Sequence, residues 1–147
     1  MYFLVQPNGN KIDLVDGDKM LSLFALFIKE QLRFLDENEK ESINGHCYAR
    51  VGVVQTAYAN GASTAYLKSL DLDVVLTPTG VKYLHEEAAK YDIGIYFEAN
   101  GHGTILFSEN YLSWLESRTQ ELTSKGIQSS KFCTSLFLLV SFFISIQ

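Results

Sequence analysis

Three short apolar runs constrain this chain more than anything else in it. They are VGVVQTAY at 51–58, DVVLTPTG at 73–80 and DIGIYF at 92–97. The first is apolar almost without interruption, as a strand must be when both faces of its sheet are covered. Between the runs lie ANGAST, opening a helix over about Ser63–Ser69, and VKYLHEEAAKY, a second helical segment that starts near Val81. Strand, helix, strand, helix, strand is the order of a layered α/β sheet. The expected fold is therefore α/β, a three-layer α/β/α sandwich with a mixed sheet. A β-hairpin precedes it, and a helix and an apolar tail follow.

The flanks fit that frame. YFLVQPNGNKIDLV reads as a hairpin, with Asn8-Gly9 suited to a tight turn. A lone hairpin is marginal in water, so this one needs something to pair with. Asp16-Gly17-Asp18 precedes a helix running from Lys19 to about Leu35, apolar on more than half of its circumference and so buried on most sides. Two aspartates around a glycine could also hold Mg²⁺, but helix capping suffices to explain them. DENEKESINGHCYAR is a polar connector. Residues 110–124 form an amphipathic helix with Leu112, Leu115 and Leu122 on one side.

After Gly126 the character changes. Phe132 to Ile146 contains only threonine and serine as polar members. A bilayer span needs about 20 apolar residues, and this run is shorter. Membrane contact, an aggregation-prone strand and sequence translated past a splice junction stay open as alternatives.

Composition excludes some functions. With 17 acidic against 12 basic residues the formal net charge is −5, which speaks against nucleic acid as a partner. Cys47 and Cys133 show neither metal-ligand spacing nor a disulfide framework, and no basic leader precedes YFLVQ, so a cytoplasmic setting is expected. No phosphate-binding Walker loop, nucleophile elbow or HExxH zinc motif occurs.

Two places carry chemistry. In YFEANGHGT, residues 96–104, Glu98, Asn100 and His102 are separated by Ala99 and Gly101. If the chain stays extended there, the three polar side chains share one face. Gly101 lets a ligand approach the backbone closely. A carboxylate, an amide and an imidazole both donate and accept, as a polyhydroxylated ligand requires. The competing reading is a solvated hairpin turn. In TPTGVKYLHEEA, Thr79 and Gly80 end a strand and Lys82 lies in the first turn of the next helix. Carboxyl ends of strands collect ligands in layered α/β proteins. A cation is unfavourable at a helix start, which gives Lys82 a reason to seek an anion. An ordinary surface lysine is the alternative. In QTAYANGAST, Asn60-Gly61 permits the bend and Ser63 or Thr64 can cap.

Together LVDGDK, GVVQTAYANGAST, TPTGVKYLHEEA and DIGIYFEANGHGTILFS resemble the eukaryotic phosphoacetylglucosamine mutases of the α-D-phosphohexomutase superfamily. The resemblance runs from about Tyr2 to about Lys125. Its most specific element is FEANGHG, similar to the sugar-recognition loop that other superfamily members write as E-x-S-G-H. It implies that residues 1–15 are the closing hairpin of the second family domain. Residues 16–125 would be the third, α/β/α, domain, and 126–147 a tail foreign to the family. It implies interconversion of N-acetylglucosamine 6-phosphate and 1-phosphate, toward UDP-N-acetylglucosamine, through a phosphoserine and a bisphosphate intermediate with Mg²⁺ balancing charge. The phosphorylated N-acetylhexosamine would meet Glu98, Asn100, Gly101 and His102 through its hydroxyls, and Thr79, Gly80 and Lys82 as the T-G-x-K segment. The phosphoserine, magnesium and phosphate-clamp segments are not in these residues. The expectation is a sugar-recognition piece that binds no Mg²⁺ itself and does not turn over alone. A non-catalytic phosphosugar-binding module and a membrane-tethered one are the alternatives.

Overall fold

In a computed structural model, which describes residues 2–5, 9, 11–39, 49–124 and 141, the three apolar runs become parallel strands. They are β3 (Val51–Thr56), β4 (Asp73–Thr77) and β5 (Ile93–Phe97). β6 (Gly103–Phe107) returns antiparallel beside β5, and the order across the sheet is β4-β3-β5-β6. The mixed sheet is as expected, and all of β5 is buried. The antiparallel hairpin also forms, from β1 (Tyr2–Val5) and β2 (Ile12–Val15), with Gly9 at φ 68° in its turn.

Alternation along the strands sorts side chains into two layers. Val53, Ile93, Ile95, Phe97 and Ile105 face one side, where they pack with Leu21, Ala25 and Ile28 of α1 (Gly17–Glu39). Leu67 of α2 (Gly61–Ser69) and Tyr111 and Leu115 of α4 (Glu109–Ser124) complete that layer. Val54 and Tyr96 face the other side, against Leu84 and Ala88 of α3 (Val81–Ala88). Helices on both faces make the three layers. α2 and α3 lie on opposite faces for a topological reason. From β3 the chain steps to one neighbour, β4, and then crosses back to the other, β5, and right-handed crossovers put the two connections on opposite sides.

One detail differs from expectation. α2 is capped by Asn60, whose Oδ1 accepts from the Ala62 N–H at 2.9 Å, and not by Ser63 or Thr64. Their hydroxyls have another task. Gln55, fully buried in β3, bonds Ser63 Oγ through Nε2 at 3.3 Å and accepts from Thr64 Oγ1 at 2.9 Å. A buried amide must be satisfied, and these are the nearest groups able to do it. α4 buries Tyr111 and Leu115, with Leu112 half-buried beside them. The Leu122 side chain, the two cysteines and the tail from 126 on, Ser141 apart, lie outside the described residues.

At the amino ends of the strands the Tyr91 ring lies flat against Gly52, where any side chain would overlap it. The Tyr91 hydroxyl donates to Asp73 Oδ2 at 2.8 Å. Burial, then the Asp73 hydrogen bond and charge, push the phenol up to about 12. Its folded value is above the unfolded one. This contribution to stability is therefore complete below pH 10 and is lost as pH rises toward 12. Ultraviolet titration should show the Tyr91 phenol ionising near pH 12, and in Asp73→Asn it should ionise at lower pH; a titration unchanged by the substitution would contradict the assignment.

Candidate functional site

β3, β4 and β5 run parallel, so their carboxyl ends share one edge of the sheet. The chain reverses its direction of travel across the sheet between β3 and β5, and ligands of open α/β sheets bind outside such a switch point. The loop from β5 to β6 is residues 98–102, at that point. The corner after β4 carries Thr79, Gly80 and Lys82. Only β3 separates β4 from β5, so the two corners stand two strand spacings apart, about 10 Å.

Of the two courses open to it, extended or turned, the 98–102 loop takes the turn. The Glu98 N–H donates to the His102 carbonyl and the Gly101 N–H to the Glu98 carbonyl, both at 2.8 Å. Gly101 takes φ 89°, a conformation glycine enters at no steric cost. Asn100 Oδ1 accepts from the His102 N–H at 2.7 Å, closing an Asx-type turn. The turn brings two of the three expected groups together by another route. Asn100 Nδ2 lies 3.4 Å from Glu98 Oε2. Glu98 is half-buried, and Asn100 and His102 are exposed.

At the other corner Gly80 sits at φ 132° before α3, where no side chain caps the helix. Thr79 is exposed. Lys82 is 80% exposed, and its Nζ lies 3.8 Å from Glu86 Oε1 one turn on. That pair offsets part of the conflict between a cation and a helix start, and an exposed pair of this kind is weak. Two residues before Thr79, at the end of β4, the Thr77 hydroxyl is buried and makes no hydrogen bond with the described residues.

Asp16-Gly17-Asp18 has a role that its local pattern did not disclose. Asp16 Oδ1 accepts from the Lys19 N–H at 2.9 Å, the capping bond. Asp18 is buried, and its Oδ2 accepts from the Asn60 N–H at 3.1 Å. With each carboxylate turned to a different backbone amide, the pair does not fit a metal ion. Among the described residues no cluster of His, Cys, Asp and Glu could hold one. Gly17 touches the loop itself: its N–H donates to the Ala99 carbonyl at 3.0 Å. Only a glycine between two capping residues hinted at such a contact. Among the described residues no helix is long and apolar enough to cross a membrane.

Comparison with known proteins shows the family of the chain. Residues 16–142 match the family described as Phosphoacetylglucosamine mutase AMG1, domain III. The phosphoacetylglucosamine mutase of Arabidopsis thaliana is 62% identical over 125 residues, which are 85% of this chain and 22% of that protein. That of Oryza sativa subsp. japonica is 57% identical over 142 residues, 96% of this chain and 25% of its own length. The solved Aspergillus fumigatus N-acetylphosphoglucosamine mutase in complex with GlcNAc-6P and magnesium superposes with a TM-score of 0.65 at 47% identity. It covers 78% of this chain, which in turn covers 20% of it. The chain thus spans about a quarter or less of the length of these relatives. On the strength of the matched domain and these identities, the chain belongs to the phosphoacetylglucosamine mutase family, of the α-D-phosphohexomutase superfamily.

Proposed function

We propose that this chain supplies the sugar-recognition surface of a phosphoacetylglucosamine mutase, and that its ligand is a phosphorylated N-acetylglucosamine. One observation carries the reading: the acid–amide pair of the 98–102 loop and the Thr79–Lys82 corner share the carboxyl edge of one sheet, across its switch point. Glu98 and Asn100 accept from and donate to sugar hydroxyls, while Gly101 keeps the backbone low enough for the ring to approach. His102 reaches the ligand or supports the loop. Thr79 and Gly80 offer polar backbone and hydroxyl groups, and Lys82 meets the phosphate as a mobile point charge.

The reaction of such a mutase exposes O1 in one half and O6 in the other. A loop that grips hydroxyls common to both orientations suits that requirement. Phosphoryl transfer itself needs a nucleophile and a charge-balancing Mg²⁺, and these belong to other parts of a mutase-length protein. We place residues 1–15 with the domain before this one and 16–125 with the recognition domain. A cytoplasmic setting accords with a sugar-phosphate ligand.

The test is a titration of the isotope-labelled chain with N-acetylglucosamine 6-phosphate, followed by amide NMR. Saturable shifts are expected at Glu98–His102 and at Thr79–Lys82. Glu98→Ala and Lys82→Ala should each weaken the affinity about tenfold, the loss of one charge-assisted hydrogen bond. The parent chain should show no turnover in a coupled assay with a bisphosphate primer. Shifts confined to another face of the sheet would overturn the reading.

A further inference from the structure

We infer that Gly17 and Asp18, at the amino end of α1, are positioning residues for the 98–102 loop, although neither belongs to it. The inference rests on the sugar reading of that loop and adds to it the part that holds the loop at the right depth.

The loop's own hydrogen bonds close it on itself. Glu98 to His102, Gly101 to Glu98 and His102 to Asn100 are all internal. Such bonds fix the loop's shape, but they leave it free to rock about its base in β5 and β6. The tether from outside is the Gly17 N–H, which reaches the Ala99 carbonyl at 3.0 Å, at the middle of the loop. Stacking of Phe24 on Phe97, with centroids 5.6 Å apart, holds the same helix against the last residue of β5.

Gly17 is not required by its own backbone. It is the first residue of α1 and does not take a positive φ. Alanine is the better helix former, so a glycine here needs another reason. The reason is distance. A β-carbon on residue 17 would overlap the Glu98 carbonyl oxygen and lie 2.7 Å from the Glu98 carbonyl carbon and 3.0 Å from the Gly101 nitrogen. All three are backbone atoms, with no flexible side-chain end that could swing away. Any side chain must lift the loop or push back the helix. The two residues that would move are the acid that grips the sugar and the glycine that lets it approach.

Asp18 fixes the helix end from behind. Its carboxylate accepts from the Asn60 N–H at 3.1 Å, and its carbonyl accepts from Ser22 Oγ at 2.8 Å. Ser22 Oγ stands 3.0 Å from Ser63 Oγ, which is bonded to the buried Gln55. The amino ends of α1 and α2 are therefore locked together on β3, and Gly17 transmits that fixed position to the loop. Positioning to within about 1 Å decides how well several groups act on one ligand.

The experiment compares four labelled chains, each titrated with N-acetylglucosamine 6-phosphate by amide NMR and melted to measure its folded fraction. Gly17→Ala should weaken binding about tenfold or more and shift the Glu98–His102 amides before any ligand is added. Asp18→Ala should weaken it several-fold. Asp18→Asn, whose amide oxygen can still accept from Asn60, should bind like the parent; this rescue marks the hydrogen bond, not the charge, as the cause. If Gly17→Ala does not fold, the two Asp18 variants decide. Parent-like affinity in both Gly17→Ala and Asp18→Ala overturns the inference and leaves the sugar reading standing. Losses that only follow the unfolded fraction also overturn it. A parent chain that does not bind the phosphosugar overturns the sugar reading, and this inference with it.

Discussion

Gly94→Ala is expected to destabilise the domain by about 3 kcal/mol, the upper range for forcing one extra carbon into a filled site. Gly94 is in β5, paired with Gly52 of β3 on one side and Leu106 of β6 on the other. A β-carbon there would overlap the Ala88 carbonyl oxygen and lie 2.6 Å from the Ala88 carbonyl carbon and 2.8 Å from its β-carbon. The last turn of α3 thus rests on bare strand backbone. To admit a methyl group, α3 must move outward, opening the packing among Leu84, Ala88, Val54 and Tyr96. That layer is small, with one helix over the sheet, and has little else to lose. Urea denaturation followed by circular dichroism measures the effect. Gly61→Ala is the internal control. It starts α2 with nothing within 4 Å of the added carbon and no positive φ. It should gain about 0.5 kcal/mol by restricting the unfolded chain. A Gly94→Ala midpoint equal to the parent's would mean that α3 does not press on β5.

Residues whose partners are close in sequence were legible, and those whose partners are distant were not. VGVVQT, DVVLT and IGIYF reveal their strands because burial on two faces leaves no room for alternation. The hairpin and the start of α3 follow from glycines whose backbone conformations are local matters. The cap of α2 was misjudged among Asn60, Ser63 and Thr64, because Gln55 claims the two hydroxyls and nothing local announces a buried glutamine. Glu98, Asn100 and His102 stand out as a group from residue types and spacing, but the sequence leaves an extended course and a hairpin turn both open. The Asx turn at Asn100 and the positive φ of Gly101 fold the loop and still leave Glu98 beside Asn100. The local pattern around Gly17 offers a helix cap or, less readily, a pair of carboxylates for Mg²⁺, and neither gives the glycine a task of its own. Its real neighbour is a loop on the far side of three strands and two helices in chain order, and only the folded sheet brings them together. Lys82 stands out in the sequence as a cation at a helix start, with an ordinary surface lysine as the alternative, and its exposure and its pairing with Glu86 do not by themselves distinguish the two.

Ile95→Ala should cost more than the glycine substitution, about 4 kcal/mol, and for the opposite reason. Ile95 is fully buried in the same strand but faces the other layer. The register places it directly between Val53 of β3 and Ile105 of β6, in a row across the middle of the sheet. Above that row lie Leu21, Ala25 and Ile28 of α1. Truncation to alanine removes transfer free energy and leaves a hole walled by strands on both sides, which cannot collapse without breaking their pairing. Ile95→Val, one methylene smaller, should cost about 1 kcal/mol, so the pair of variants grades the effect by volume. Against a total stability of about 5–15 kcal/mol, that loss is a large fraction of what holds the domain folded. The consequence reaches the site, because α1 rests on this row and its first residue holds the 98–102 loop. Urea midpoints of the three chains, with an unchanged denaturant slope, test the claim. A loss below about 1 kcal/mol for Ile95→Ala would show that α1 is not seated on the Val53–Ile95–Ile105 row, and would remove the support beneath the loop's tether.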